Sequence, residues 1–305
     1  MPTGAEKRIS RVLISTALGP GGGGIFPYTL LPSYRRLIGA VKETKTTVIA
    51  KSATRYRRQG NFIPGNPFTW RYIRRIPGQG MLNAYGLTNQ GVRVCAGEVK
   101  HSCRVGIQVV PNYYPEFAKG TETAIREALE SIKIYREVIG SDFWALELNF
   151  SCPNAKEAVA ENVNQGIACV FHVRQTFPEL FLIAKISIVH PFEFSEELER
   201  LGVGAIHGVN TIPYNLVFPD YKWSPSPLAD AGGGGVSGGP ACPAAKNYNA
   251  ELRKKVSLFL IMGCGISSLE DVQTYLDLGA DAVSFCTLAL RRPGEAARIL
   301  NILNS

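Results

Sequence analysis

The run Asn149-Phe150-Ser151-Cys152-Pro153-Asn154 puts a thiol on a proline-fixed turn between two amides, directly after an apolar stretch over 144–150. A thiol so placed can act as a nucleophile or a general base, although taken alone it also reads as a small core hydrophobe. A cysteine hydrolase would pair it with histidine. None of His101, His172, His190 and His207 follows a strand-like run in a comparably polar turn, and His207 falls inside such a run as a core residue. Lys51 closes one apolar run and Lys185 lies in another, and two converging lysines suit stabilisation of negative charge on a carboxylate substrate or a reduced flavin. Asn210-Thr211 follow a further run. Singly, each of these residues reads as a loop polar group; their recurrence at one end of successive runs is what points to a site.

Those ends require a frame. Hydrophobic periodicity predicts strands over 12–14, 47–51, 105–110, 144–150, 182–186, 205–209, 258–262 and 282–285. Helical spacing predicts helices over 33–42, 89–100, 121–138, 164–176, 194–201, 243–255, 269–278 and 294–301. Eight strand-then-helix units in 305 residues are what a (β/α)₈ TIM barrel of the α/β class requires, with active-site groups at the carboxyl ends of its strands. Two long segments interrupt the alternation, 54–80 after the second strand and 211–237 after the sixth, and the first is expected to carry its own hairpin. A dinucleotide fold would need Gly-x-Gly-x-x-Gly after the first strand; Gly202-Val203-Gly204 with Gly208 precedes a strand at the wrong spacing and reads as a helix stop.

Composition narrows the class. No apolar run approaches the length of a membrane span or signal-peptide core, so a cytoplasmic protein is expected. The 7 cysteines are odd in number and contain no Cys-x-x-Cys pair, which argues against a disulfide framework, a zinc site or an iron–sulfur cluster on this chain. The net charge of +8 is partly local, with Arg55, Arg57, Arg58, Arg71, Arg74 and Arg75 in one segment. Nucleic-acid binding would want interleaved aromatic stacking or a recognisable fold signature, so a solvated basic face or attraction of small anions is the expectation.

Further motifs stand in order around the cysteine loop. They are Lys51-Ser52-x-Thr54 with Arg58-x-Gly60-Asn61, the run Gly80-Met81-Leu82-Asn83-Ala84-Tyr85-Gly86-Leu87-Thr88-Asn89-Gln90-Gly91, Ala184-Lys185, Val209-Asn210-Thr211 and Gly234-Gly235-Val236-Ser237-Gly238. Together with Asn-x-Ser-Cys-Pro-Asn they make the chain resemble, over nearly its whole length, the cytosolic dihydroorotate dehydrogenases that use a cysteine base. The resemblance implies one FMN-binding barrel domain over 1–305 that oxidises dihydroorotate to orotate in pyrimidine biosynthesis. It implies Cys152 as the base for the C5 proton while hydride leaves C6 for the flavin, with Ser151 and Lys51 in the catalytic set. Asn83, Asn149, Asn154, Asn210 and Thr211, with the Gly86 and Leu87 backbone, would hold the pyrimidine. Lys51 would reach the substrate carboxylate and the flavin, and Lys185 would balance charge on the reduced flavin. The remaining flavin contacts would come from Thr16, Ser52, Asn149, Asn210, Gly235, Cys264, Gly265, Cys286 and Thr287. A homodimer is implied, and an iron–sulfur flavoprotein subunit is one route for the electrons, with fumarate or another oxidant as alternatives; neither nucleic acid nor membrane is expected as a partner.

The chain also departs from the family pattern. Met262-Gly263-Cys264-Gly265-Ile266 stands where Gly-x-Gly-Gly-Ile is usual, Cys286-Thr287 where Gly-Thr is usual, and Ser15-Thr16-Ala17 where Ala-Ser-Gly is usual. A Cβ at such turns implies a shifted loop or weaker phosphate binding. Two other readings follow from the same residues: a dihydropyrimidine dehydrogenase-like base reductase, against which Asn154 argues because histidine is typical there, and a flavin-free barrel with a basic binding face. A quinone-linked membrane enzyme is disfavoured by Cys152, where that class carries serine, and by a first strand beginning near Arg11.

Overall fold

The computed structural model describes residues 4, 6–151, 162–219 and 225–305. In chain order these form β1 (Val12–Ser15), α1 (Pro32–Glu43), β2 (Thr47–Ile49), β3 (Ile73–Ile76), β4 (Gly80–Asn83), α2 (Val92–Arg104), β5 (Gln108–Val110), β6 (Asn112–Tyr113) and α3 (Thr121–Ile139). There follow β7 (Ala145–Asn149), α4 (Val163–Thr176), β8 (Phe181–Lys185), α5 (Phe192–Arg200), β9 (Ala205–Gly208), β10 (Ile212–Pro213), α6 (Tyr214–Val217) and β11 (Gly235–Ser237). The last elements are α7 (Cys242–Lys255), β12 (Phe259–Gly263), α8 (Leu269–Asp277), β13 (Ala282–Phe285), α9 (Thr287–Arg291) and α10 (Pro293–Leu303).

The main sheet is parallel and runs β5-β2-β1-β13-β12-β9-β8-β7-β6. Its two outer members are halves of one extended segment, separated only by Pro111, which has no N–H to give to a ladder. The first half pairs with β2 and the second with β7, while the Pro111 carbonyl accepts from Glu147 N–H at 2.9 Å. The nine strands therefore occupy eight positions, and the sheet closes on itself as the expected barrel.

Strand periodicity divides the core. Val12, Ile14, Val48, Val109, Leu146, Leu148, Leu182, Ala184, Ile206, Leu260, Met262 and Val283 face the helices in one large cluster. Leu13, Ile49, Val110, Ala145, Ile183, Ala205, Ile261 and Ala282, one residue out of phase, fill the barrel's lower interior. Two residues further along the same inward faces the side chains turn polar: Ser15, Asn112, Glu147, Lys185, His207 and Ser284, all buried. The barrel is thus apolar below and polar above.

Most boundaries fall within a residue or two of the periodicity reading, and the departures that matter for the site have local causes. The stretch 105–107 is a turn after α2 rather than strand, because that helix continues to Arg104. Its start shifts to Val92, since Asn89 is a buried loop hub: Asn89 Oδ1 accepts from Gly91 N–H at 2.8 Å and its Nδ2 donates to Thr54 Oγ1 at 2.9 Å. The second strand ends at Ile49, leaving Lys51 in the loop beyond it. The final helix is preceded by a separate turn of helix, α9.

The two long excursions converge in a second, antiparallel sheet of order β10-β11-β4-β3. The hairpin expected after the second strand is β3–β4, and β11 from the later excursion pairs with it in the register Gly235↔Asn83, Val236↔Leu82 and Ser237↔Met81. Gly234 takes φ 77°, and a Cβ there would lie 2.9 Å from the Asn83 carbonyl oxygen. Arg291 fastens the sheet to the barrel by donating to the Gly80 carbonyl at 2.7 Å.

At the opposite end, Asn304 locks the last helix to the first strand. Its Oδ1 accepts from Val12 N–H at 2.9 Å, and its Nδ2 donates to the Val12 carbonyl and to Thr46 Oγ1, each at 2.8 Å. Asn304→Ala should lower unfolding free energy by about 1–3 kcal/mol, the penalty for unsatisfied buried backbone groups. Chemical denaturation measures this.

Candidate active site

The carboxyl ends of the strands assemble a connected polar floor. Asn149 ends β7, and its Nδ2 donates to Ser52 Oγ at 2.9 Å across the barrel mouth. Its Oδ1 accepts both from the Ser151 backbone N–H at 3.1 Å and from Ser151 Oγ at 2.9 Å. Asn210 Nδ2 donates to the Ser151 carbonyl at 3.2 Å, and Asn210 Oδ1 accepts from Thr211 N–H at 2.9 Å. Ser52, Asn149, Ser151, Asn210 and Thr211 therefore form one network that fixes the chain up to the residue before Cys152. Cys152 and Asn154 lie outside the described residues.

Below this floor, Lys185 Nζ donates to Ser15 Oγ at 2.9 Å and lies 3.8 Å from Glu147 Oε1. Glu147 has no exposed surface; Asn112 Nδ2 donates to its Oε1 and His207 Nδ1 to its Oε2, both at 2.5 Å. Because an ionised carboxylate can only accept, the shared proton belongs to His207 Nδ1, so Nε2 of the neutral ring accepts from Ser284 Oγ at 2.6 Å. Burial drives the His207 pKa down, and the nearby Lys185 charge adds to that against the pull of Glu147. For Glu147 burial acts upward, but Lys185, His207 and its hydrogen bonds outweigh it and hold the carboxyl below its ordinary value.

The rim is built from left-handed turns. Thr16 takes φ 62°, and its hydroxyl lies 3.5 Å from Cys286 Sγ. Burial raises the Cys286 pKa, opposed by that hydrogen bond and by the charges of Lys185 and Lys51. Thr287 Oγ1 donates to Ser237 Oγ at 2.8 Å, and Asn83 Nδ2 donates to the Gly235 carbonyl at 3.3 Å. Cys264 keeps a left-handed backbone at φ 73° despite its Cβ, followed by Gly265 at φ 87°; burial pushes its thiol up to about 12, which removes it as a nucleophile. The turn at Cys264 and Gly265 is left-handed with the Cys264 Cβ in place.

On the other wall, Gly86 and Leu87 both have positive φ, and a Cβ on Gly86 would lie 2.7 Å from Asn61 N. The Lys51 ammonium sits 3.3 Å from the centroid of the Tyr85 ring, which in turn packs on Phe62 at 4.9 Å. Sequence reasoning missed Tyr85, Glu147 and His207 as parts of the site. For Glu147 a signal existed: a carboxylate two residues before Asn149 on a strand whose other residues are apolar.

Much of the arginine-dense segment is paired. Arg55 meets Glu130 at 2.9 Å, Arg58 meets Glu116 at 2.7 Å and Arg71 meets Asp230 at 2.7 Å. No helix among the described residues is long and apolar enough to cross a membrane.

The family model for dihydroorotate dehydrogenase matches residues 38–304. The chain belongs to the dihydroorotate dehydrogenase family. Among its relatives, the catalytic subunit of dihydroorotate dehydrogenase B (NAD(+)) from Oceanobacillus iheyensis is 30% identical over 272 residues, covering 84% of this chain and 79% of that protein. The subunit of the same name from Thermotoga petrophila is 27% identical over 287 residues, or 92% of each. The fold is similar to that of dihydroorotate dehydrogenase from Eimeria tenella solved with ferulenol, at TM-score 0.69 and 17% identity over 95% of this chain and 79% of the other. Membership makes the protein an oxidoreductase of a flavin-dependent family. The residues present fit a flavin: the positive charges of Lys51 and Lys185, hydroxyls from Thr16 and Ser52, amides from Asn149 and Asn210, and the left-handed Cys264–Gly265 turn just beyond β12.

The buried pair sets a pH dependence. Both folded-state values are depressed, so the unfolded chain binds more protons below the ordinary values of 6.5 for His207 and 4.5 for Glu147. The pair's contribution to stability should be flat above about pH 6.5, fall as pH drops through it, and fall again through about 4.5. Urea midpoints across this range test the sign, and His207→Gln should flatten the upper part of the loss.

Proposed function

We propose that this chain oxidises dihydroorotate to orotate in pyrimidine biosynthesis, with FMN as the bound hydride acceptor and Cys152 as the base. The observation that carries the reading is the Ser52–Asn149–Ser151–Asn210 network, which holds the chain leading into Cys152 at the carboxyl ends of the strands, where Lys185 ends β8 and Lys51 follows β2. Bound FMN would supply the acceptor for the hydride leaving substrate C6. Cys152 takes the proton from C5, so the two hydrogens leave as hydride and proton and the C5–C6 double bond forms.

The other residues bind and orient. Asn83, Asn149, Asn154, Asn210 and Thr211, with the Gly86 and Leu87 backbone, hold the pyrimidine edges, and Lys51 holds the substrate carboxylate. Tyr85 keeps the Lys51 ammonium in place through its ring face, a contact worth about 0.5–2 kcal/mol. Thr16, Ser52, Lys185, Gly235, Cys264, Gly265, Cys286 and Thr287 would hold the flavin. The dihydroorotate name borne by the family model and by the relatives favours this substrate over the dihydropyrimidine alternative, and the flavin-fitting donor set disfavours the flavin-free barrel. Because those relatives are named as NAD(+)-type catalytic subunits, the same reading carries an iron–sulfur flavoprotein partner for electron transfer, with a homodimeric core working in the cytoplasm.

Anaerobic titration of the FMN-loaded protein with dihydroorotate should bleach the flavin absorbance; a protein that takes up no FMN, or is not bleached, defeats the proposal. Cys152→Ala should retain flavin but slow its reduction by about 10²–10⁴-fold, the usual share of a general base.

Lys51→Ala should weaken orotate binding by about 1.5–3 kcal/mol, as for a hydrogen bond to a charged group, and leave an analogue lacking the carboxylate unaffected. Tyr85→Phe should preserve orotate affinity where Tyr85→Leu lowers it. Equal weakening of both ligands by Lys51→Ala would move Lys51 to the flavin alone.

A further inference from the structure

The polar upper layer of the barrel interior contains more charge than the proposed chemistry uses. Lys185 has a task there; Glu147, His207, Asn112 and Ser284 do not. We propose that Glu147 is the countercharge that sets how strongly Lys185 favours the reduced over the oxidised flavin, and that His207, anchored by Ser284, keeps Glu147 ionised for that role. This rests on the reading of Lys185 as the flavin's electrostatic partner.

A carboxylate with no exposed surface stays charged only when its oxygens are satisfied. Glu147 Oε1 accepts from Asn112 on β6 and faces Lys185 on β8, and Oε2 accepts from His207 on β9. Lys185 hydrogen-bonds to Ser15 on β1 instead, and its 3.8 Å separation from Glu147 leaves the ammonium attenuated but not captured. Ser284 on β13 completes the ring of contacts by occupying His207 Nε2. With the histidine neutral, the layer holds one positive and one negative charge. An imidazolium would cancel Glu147 and leave Lys185 unopposed, and the charge of Lys185 and burial both disfavour it.

Reduction adds negative charge to the flavin, which Lys185 favours and Glu147 opposes. In a buried, weakly screened site one unit charge changes such a balance by about tenfold or more. The purpose of the pair is therefore to moderate: Lys185 assists hydride acceptance without making the electrons too costly to pass on.

The test compares binding of oxidised FMN and of anaerobically reduced FMN to the apoprotein, read as the ratio of the two dissociation constants. Glu147→Gln, which keeps shape and removes charge, should shift that ratio toward the reduced form by about tenfold or more. His207→Met, which removes the donor and lets the carboxyl take up a proton, should shift it in the same direction. His207→Gln, which keeps an N–H donor, should stay within about twofold of the wild type. A folded Glu147→Gln protein with an unchanged ratio overturns the inference while leaving the flavin reading intact. If that variant does not fold, the two His207 variants decide, and an unchanged ratio in His207→Met overturns it. A wild-type protein that binds neither form of FMN overturns the flavin reading and this inference together.

Discussion

A carboxylate buried in the middle of a barrel is the constraint around which the upper half of this protein is organised. Glu147 could be accommodated as an ion only by surrounding it with donors, and four strands contribute to doing so: Asn112 and His207 by direct hydrogen bonds, Lys185 by charge, and Ser284 by fixing the histidine tautomer. Removing any one donor leaves an uncompensated group where water cannot reach. The strands therefore share one register, and Asn149 and Lys185, paired directly across β7 and β8, inherit their positions from it. The polar floor is a continuation of the same inward-facing rows, two residues further up.

The division of the interior into an apolar lower layer and a polar upper layer explains how this charge is tolerated. Leu13, Ile49, Ile183 and Ile261 supply the hydrophobic burial that stabilises closure, and the polar layer adds order rather than net stability. Above it, the sheet formed by β3, β4, β10 and β11 joins the excursions that start at residues 54 and 211 on opposite sides of the barrel. Their backbone ladder places Asn83 beside Gly235, so residues from the two excursions are held by shared hydrogen bonds rather than by independent loops.

The barrel was legible because alternating apolar runs and helical spacing repeat eight times, a signal that survives errors at individual boundaries. Boundary errors had local causes: Asn89 resembles a helix start but spends its amide on Thr54 and Leu87, and Pro111 splits a strand that apolar periodicity ended at 110. Lysines and asparagines at strand ends were visible because a polar residue there interrupts an apolar pattern. Glu147 and His207 were harder to read, since a polar residue inside a strand has a partner only when neighbouring strands are brought into register, and that is tertiary information. Tyr85 was hidden for a different reason: an aromatic residue in a loop motif gives no sign that a lysine 34 positions earlier sits on its face.

The backbone at the rim shows why departures from a glycine pattern need not abolish a site. Thr16, Leu87 and Cys264 all adopt left-handed φ, which costs a side-chain-bearing residue about 1 kcal/mol or more and costs β-branched Thr16 the most. Such conformations persist only where surrounding contacts overdetermine them. Each of the three has its carbonyl fastened: Thr16 O accepts from Gly19 N–H at 3.3 Å, Leu87 O from Asn89 Nδ2 at 2.7 Å, and Cys264 O from the Tyr275 hydroxyl at 2.6 Å. In Cys264 the fastening group is a fully buried tyrosine, so the turn is held from the core side rather than by the absence of a Cβ. Glycine at such a position lowers the strain of a left-handed turn; a rigid hydrogen bond to its carbonyl achieves the same geometry by resisting its relaxation. At Cys264 that hydrogen bond, not the loss of a Cβ, holds the left-handed turn, so a cysteine in place of glycine is compatible with it.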